Sequence, residues 1–117
     1  MNAVDRRRIS ACAAALLAVV WIVDPANAED ATVKIDNFTF APAQLTVKAG
    51  TTVTWRNEDD IPHTVAASTR AFKSKALDTD DSFSFTFRDA GTYEYFCSLH
   101  PHMTGVIVVE AATGSTQ

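Results

Sequence analysis

Apolar and polar residues alternate with a period of two along much of this chain. Val33 and Ile35 alternate with charged neighbours, Val53 and Trp55 with polar ones, and the run Phe83 to Phe87 repeats the pattern. Successive side chains of a β-strand point to opposite faces, so this period predicts half-buried strands and not helices. Four more segments have strand character: Phe38 to Phe40, Leu45 to Val47, Tyr93 to Cys97 and Val106 to Val109.

Short segments of turn composition separate these strands, at residues 49–50, 57–62, 78–81 and 89–91. Seven or eight short strands at this spacing predict an all-β fold, a two-layer β-sandwich. Residues 66–76 show no clear period and predict an irregular crossing loop, an edge strand or one helical turn. Residues 111–117 are expected to fray.

The first 28 residues have the composition of a secretory signal peptide. Three arginines, Arg6 to Arg8, precede an apolar run of 13 residues and the small-residue pattern Ala26-Asn27-Ala28. The run is too short to span a bilayer, which takes roughly 20 residues. We therefore expect cleavage after Ala28, and one exported domain, residues 29–117, in the periplasm without a membrane anchor.

Charge and size limit the function further. The chain carries 10 basic and 14 acidic residues, and removing residues 1–28 leaves 7 and 12, a net charge of −5. An acidic chain argues against nucleic-acid binding. We expect a monomer. So short a chain buries little more than about 60% of its unfolded surface, and a bound metal would therefore stabilise it.

Cleavage would leave one cysteine, Cys97, and one methionine, Met103, with His100 midway between them. A lone thiol in an oxidising compartment has no disulfide partner in its own chain. The three residues lie in a predicted loop between the strand of residues 92–96 and a strand beginning at Gly105, where a tight turn can point all three at one centre. His63, after the strand of Trp55, is the only histidine outside that loop and supplies a fourth candidate ligand.

Thiolate, thioether and imidazole together suit copper, and two His, one Cys and a weak axial Met form the ligand set of blue-copper sites. Zinc on Cys97, His63 and His100 is the main competing interpretation, although it would not need Met103. A Cys–His nucleophile would need a substrate cleft for which nothing in the sequence speaks. Cys97 and Met103 could also be ordinary core residues of a metal-free interaction domain.

Several segments resemble the cupredoxins over nearly the whole of residues 29–117, and the ligand spacing is similar to that of the amicyanin branch. They are Phe38 to Pro42, Val47 to Asn57, Pro62 to Val65, Gly91 to Cys97 and Gly105 to Glu110. The resemblance implies a Greek-key β-sandwich with one type 1 copper bound by His63, Cys97, His100 and Met103.

By the same resemblance the chain is an electron carrier and not an enzyme. Its partners would be redox proteins, such as a c-type cytochrome or a periplasmic dehydrogenase. A copper-binding protein for delivery or resistance is the alternative. The chain departs from amicyanins at Thr64, Leu99 and His102, where they carry asparagine, proline and phenylalanine.

The remaining polar features have simpler interpretations. We expect His102 to be exposed, with partner contact as the functional alternative. The acidic run of residues 58–60 predicts a solvated loop, which could also steer a basic partner. Residues 78–81 predict a turn and not a calcium loop. Backbone amides near Thr64 and Met103 are expected to donate to the Cys97 sulfur.

Overall fold

The computed structural model describes residues 29–112, so the predicted signal peptide and the end of the tail lie outside the described residues. Eight strands make up the fold: β1 (Asp30–Asp36), β2 (Thr39–Ala41), β3 (Gln44–Lys48), β4 (Thr51–Asn57), β5 (Ala66–Ala67), β6 (Ser82–Phe87), β7 (Gly91–Cys97) and β8 (His100–Glu110). Within residues 29–112 there is no helix long and apolar enough to cross a membrane.

The strands form two four-stranded sheets, in the orders β2-β1-β4-β6 and β3-β8-β7-β5. β1 runs parallel to β4 and β3 parallel to β8, and the other pairs are antiparallel. The period-two residues explain this packing, since Val33, Ile35, Val53 and Trp55 are fully buried between the sheets. On the outer face, hydroxyls pair across β4 and β6, with Thr52 and Thr86 Oγ1 atoms 2.7 Å apart. The predicted β-sandwich is confirmed.

Trp55 lies at the centre of the core. The rings of Phe72, Phe83, Phe87 and Tyr95 pack around it with centroid separations of 5.3 to 6.4 Å. Burial raises the pKa of Tyr95 to about 12, so this phenol stays protonated at physiological pH.

Residues 66–76 combine two of the three predicted arrangements. β5 is a two-residue edge strand, and the chain after it crosses irregularly, with isolated bridges between Ala66 and Lys73 and between His63 and Leu77. No helical turn occurs in this segment. The crossing therefore pairs with β5 at Ala66 and with His63 through Leu77.

Residues 78–81 form the predicted turn. The Asp81 amide donates to the Asp78 carbonyl at 2.9 Å, and the Asp78 amide donates to the Asp81 carboxylate at 3.0 Å. This prediction is confirmed.

Two predicted strand limits were wrong, both at the end of the sandwich that holds the candidate ligands. The alternating pattern predicts Phe38 in a strand, but Asp36 pairs with Thr39, so Asn37 and Phe38 form the two-residue turn between β1 and β2. The last strand was predicted to begin at Gly105 but begins at His100.

The early start of β8 shortens the predicted ligand loop to a turn at Ser98 and Leu99. Cys97 pairs with His100, and the register then shifts so that Phe96 pairs with Thr104. Three residues of β8, 101–103, therefore bulge out of the ladder, as is common beside functional sites.

Candidate metal centre

Three donor side chains meet at one end of the sandwich. Cys97 ends β7, His100 begins β8, and His63 lies on the connection after β4, where two backbone hydrogen bonds tie it to Leu77. The Sγ atom of Cys97 lies 3.8 Å from Nδ1 of His63 and 3.6 Å from Nδ1 of His100. His63 and Cys97 are fully buried, whereas His100 is partly exposed. The fold thus brings together three of the four predicted ligands.

These separations fit one bound metal ion. A metal bonded to sulfur at about 2.3 Å and to nitrogen at about 2.0–2.1 Å would hold the two atoms about 3.6–3.8 Å apart at bond angles between tetrahedral and trigonal. The two Sγ–Nδ1 distances fall at these limits. All three ligand atoms lie within 4.8 Å of one another, so the donors need little movement to bind.

Met103 is buried in the same core cluster as Cys97. It is the last of the residues that bulge out of β8, and it is 5% exposed. Its role as the fourth ligand stays a prediction. His102 is exposed, as expected from the sequence.

The Cys97 sulfur accepts hydrogen bonds from Thr64. The Thr64 amide donates at 3.3 Å, which confirms the backbone donor predicted near Thr64, and the Thr64 hydroxyl lies 3.7 Å from the sulfur. Within residues 29–112 the Met103 amide makes no such hydrogen bond, so the second predicted donor was wrong. Burial alone would raise the pKa of Cys97, but the Thr64 amide, the His63 and His100 rings and the Thr64 hydroxyl together lower this pKa to about 6. The site therefore favours the thiolate, which is the form that binds metal.

Thr64 also joins the two loops of the site. Its hydroxyl accepts a hydrogen bond from the Ser98 amide at 2.7 Å and lies 2.8 Å from the Ser98 hydroxyl. The sequence predicts only backbone donors to this sulfur. The hydroxyl's role could not be predicted, because it depends on residues 34 positions apart coming into contact.

Asp59 orients the buried imidazole. The Nε2–H of His63 donates to Oδ2 of Asp59 at 2.9 Å, and this hydrogen bond lowers the pKa of Asp59. With its proton on Nε2, His63 presents the lone pair of Nδ1 to the site, which is the tautomer that a metal needs. Asp59 is therefore more than a solvated acid, a role that the sequence analysis missed.

Asn57 fixes the loop that carries Asp59. Its buried Nδ2 donates to the carbonyls of Ile61 and Leu77 at 2.8 Å, and its Oδ1 accepts from the Asp59 amide at 2.9 Å. The loop therefore has a defined conformation from the end of β4 to His63.

Comparison with known proteins settles the family. The family model described as a cupredoxin-like domain matches residues 10–109, most of the chain. The chain belongs to this family. The purple cupredoxin from Nitrosopumilus maritimus has a similar structure, with a TM-score of 0.66 and 33% identity over 68% of this chain and 99% of that one.

Two amicyanins are similar to this cupredoxin in sequence. The amicyanin of Paracoccus versutus is 36% identical over 88 residues, 71% of this chain and 67% of the relative. Amicyanin-alpha of Methylorubrum extorquens is 34% identical over 106 residues, 86% of this chain and 89% of the relative. The predicted resemblance to cupredoxins, and to amicyanins in particular, is confirmed.

Family and site together define the chemistry. Cupredoxins are copper electron carriers and not enzymes, and this cupredoxin has the thiolate and imidazole donors that such a copper site needs. The Cys–His nucleophile considered from the sequence is therefore not supported.

A small apolar surface surrounds the exposed side of this cupredoxin's site. Phe38 and Leu99 are the two large hydrophobic residues that stand out as exposed among residues 29–112, at 52% and 50%. The Phe38 ring contacts both imidazoles, with centroid separations of 5.1 Å to His100 and 5.7 Å to His63. This role of Phe38 could not be predicted from the sequence, because the residue continues the alternating pattern of a strand.

Proposed function

We propose that this cupredoxin carries single electrons between redox proteins of the periplasm, with one type 1 copper ion held by His63, Cys97, His100 and Met103. The observation that carries the proposal is the buried thiolate with two imidazole nitrogens at 3.6 and 3.8 Å, one of them on a partly exposed ring. Bound copper would supply the one-electron Cu(II)/Cu(I) couple.

The rigidity of the site suits electron transfer. Cys97 and His100 are paired across two strands, and His63 is held by Leu77 on the backbone and by Asp59 on the ring. Donors held in this way move little when the charge of the site changes, so little rearrangement is needed for each electron. His100 is the partly exposed ligand and provides the route to the surface.

Met103 is proposed as the weak axial ligand because its thioether is soft and it is buried in one cluster with Cys97. Replacing it tests its role as a ligand. If Met103 helps to set the potential, Met103→Leu keeps the intense colour but raises the reduction potential. The reason is that removing a donor takes more stabilisation from Cu(II) than from Cu(I). A potential equal to that of the wild type would contradict this assignment.

The surface around His100 suits brief contacts with a redox partner. Exposed Phe38 and Leu99 offer apolar area next to the ligand, and residues 29–117 carry a net charge of −5. Glu58 is partly neutralised by Lys34 and Arg56, each 3.8 Å away. We propose a c-type cytochrome or a periplasmic dehydrogenase as partner, with a monomeric carrier.

Stopped-flow mixing of the reduced protein with a basic c-type cytochrome tests this role. We expect fast electron exchange whose rate falls as salt is added, because screening weakens long-range attraction. A copper protein that turns blue but exchanges no electrons would instead support copper delivery or resistance.

The periplasmic location rests on residues 1–28 and is tested separately. We expect the protein isolated from the periplasm to begin at Glu29, and determination of its N-terminal sequence checks the cleavage site. An intact N-terminus on cytoplasmic protein would contradict the proposed export.

A further inference from the structure

The turn between β1 and β2 has an unusual backbone conformation. Asn37 and Phe38 have φ values of 52° and 58°. Two-residue hairpin turns with both central φ values positive strongly favour glycine at the second position. A bulky aromatic residue is rare there, because its Cβ crowds the backbone.

Burial does not explain why phenylalanine occupies this position. Phe38 is 52% exposed and does not belong to the buried core cluster of residues 29–112. What the ring contacts is the site. It meets His100 and His63 edge to face, with interplanar angles of 88° and 89°. A strained residue at such a place indicates a functional constraint.

The backbone of the same residue reaches the site by a second route. The Phe38 amide donates to Oδ2 of Asp59 at 3.2 Å, and the same oxygen accepts the Nε2–H of His63 at 2.9 Å. One carboxylate oxygen therefore links the turn to the buried imidazole. The Thr39 hydroxyl, which donates to the backbone carbonyls of Asp36 and Asn37, holds the turn from its other side.

We propose that this turn is a positioning clamp for both imidazoles: the Phe38 ring restricts the ring of His100, while the Phe38 amide fixes the Asp59 carboxylate that orients His63. The inference rests on the proposed copper-carrier function and adds positioning residues to it. The strain at Phe38 is the cost of placing an aromatic ring over both ligands. A residue that relieves the strain should therefore stabilise the turn and loosen the site.

Four variants separate the clamp from its alternatives. Phe38→Ala removes the ring and keeps the strain, Phe38→Gly removes both, and Phe38→Tyr keeps the ring. Leu99→Ala is the matched control, since Leu99 is exposed to the same extent beside His100 but has no aromatic ring. If only the loss of apolar surface mattered, Phe38→Ala and Leu99→Ala would change the mobility of the His100 ring equally.

The first measurements use the metal-free protein expressed from the full sequence. We expect NMR relaxation to show a more mobile His100 ring in Phe38→Ala and Phe38→Gly, and a wild-type ring in Phe38→Tyr and Leu99→Ala. Phe38→Gly should unfold at a higher temperature than Phe38→Ala, since glycine adopts a positive φ without strain.

Two further variants test whether the Asp59 carboxylate orients His63. Exchange of the His63 Nε2 proton should become about tenfold faster in Asp59→Ala, which loses the acceptor. It should be unchanged in Glu58→Ala, which removes the same charge from the neighbouring residue. Equal exchange in the two variants would overturn the role of Asp59.

Copper-loaded samples complete the test. Electron paramagnetic resonance lines should broaden in Phe38→Ala and Phe38→Gly, because the imidazoles occupy a wider range of positions, and stay narrow in Leu99→Ala. The clamp would be overturned if Phe38→Ala, Phe38→Gly and Leu99→Ala had the same electron paramagnetic resonance line widths and the same mobility of the His100 ring. A wild-type protein that forms no copper site would refute the proposed function instead, while the metal-free measurements would still decide the clamp.

Discussion

Thr64 shows how much of the site depends on one side chain. Its amide and hydroxyl face the Cys97 sulfur, and its hydroxyl also holds Ser98. Two substitutions separate the hydroxyl from the shape of the side chain. Valine has nearly the same shape but no hydroxyl, whereas serine keeps the hydroxyl.

Thr64→Val is therefore expected to lower the reduction potential of the copper protein. A donor to the thiolate stabilises the more electron-rich Cu(I) state, so its loss favours Cu(II). The Ser98 amide also loses its acceptor, which destabilises the fold by about 1–3 kcal/mol. Voltammetry and thermal unfolding check both effects, with Thr64→Ser as control; a Thr64→Val potential at or above the wild-type value would contradict the hydroxyl's role.

The thiol of Cys97 gives a pH-dependent prediction for the metal-free protein. Hydrogen bonds lower its pKa to about 6, whereas an unfolded cysteine has a pKa of about 8.5. A lowered pKa in the folded state adds stability that is complete above about pH 8.5 and is lost as the pH falls towards 6.

Ultraviolet absorption of the thiolate follows this titration directly. Denaturant unfolding of the wild type and of Cys97→Ala at several pH values isolates the contribution of the thiol to the free energy of unfolding. We expect the difference between the two proteins to shift in favour of the wild type as the pH rises from 6 to 8.5. A titration midpoint near 8.5 would show that the Thr64 and imidazole hydrogen bonds do not act on the sulfur.

At the scale of strands and turns, the sequence predicted more of the fold than of the site. Period-two patterns located the buried strands, because alternation and burial have the same cause in a sandwich. The predicted strand limits were wrong at Phe38 and His100, because the register of the turns, and not hydrophobicity, determines where these strands end and begin. Asp59 was missed because a run of acids looks the same in sequence whether it is solvated or bonded to a ligand.

Close packing of β7 against β8 predicts a strong effect at Gly105. A Cβ atom added there would lie 2.4 Å from Cζ and Oη of buried Tyr95. Gly105→Ala should destabilise the protein by about 1–3 kcal/mol through overpacking.

A double-mutant cycle measures how much of that destabilisation comes from the contact with Tyr95. In a Tyr95→Leu background, where the distant ring atoms are absent, Gly105→Ala should cost much less. Chemical denaturation measures all four proteins. Equal costs in the two backgrounds would mean that Tyr95 is not the residue that requires glycine.

At the scale of the whole molecule, the sandwich holds His63 in contact with Cys97, a residue 34 positions away. Binding energy from a ligand that needs the folded arrangement adds to stability, by about 4 kcal/mol at a thousandfold excess over the dissociation constant. Copper should therefore raise the unfolding temperature, and a chelator should lower it. Calorimetry with and without copper tests this, and Cys97→Ala should show no comparable increase.

If Cys97, His63 and His100 bind a type 1 copper ion, the absorption spectrum of the copper-loaded protein shows it. Addition of one equivalent of copper(II) to the metal-free protein should produce an intense blue or green colour from thiolate-to-copper charge transfer. Ascorbate should bleach it, and reoxidation should restore it. A colourless product, or a colour equally intense in Cys97→Ala, would show that Cys97 does not form a type 1 copper site.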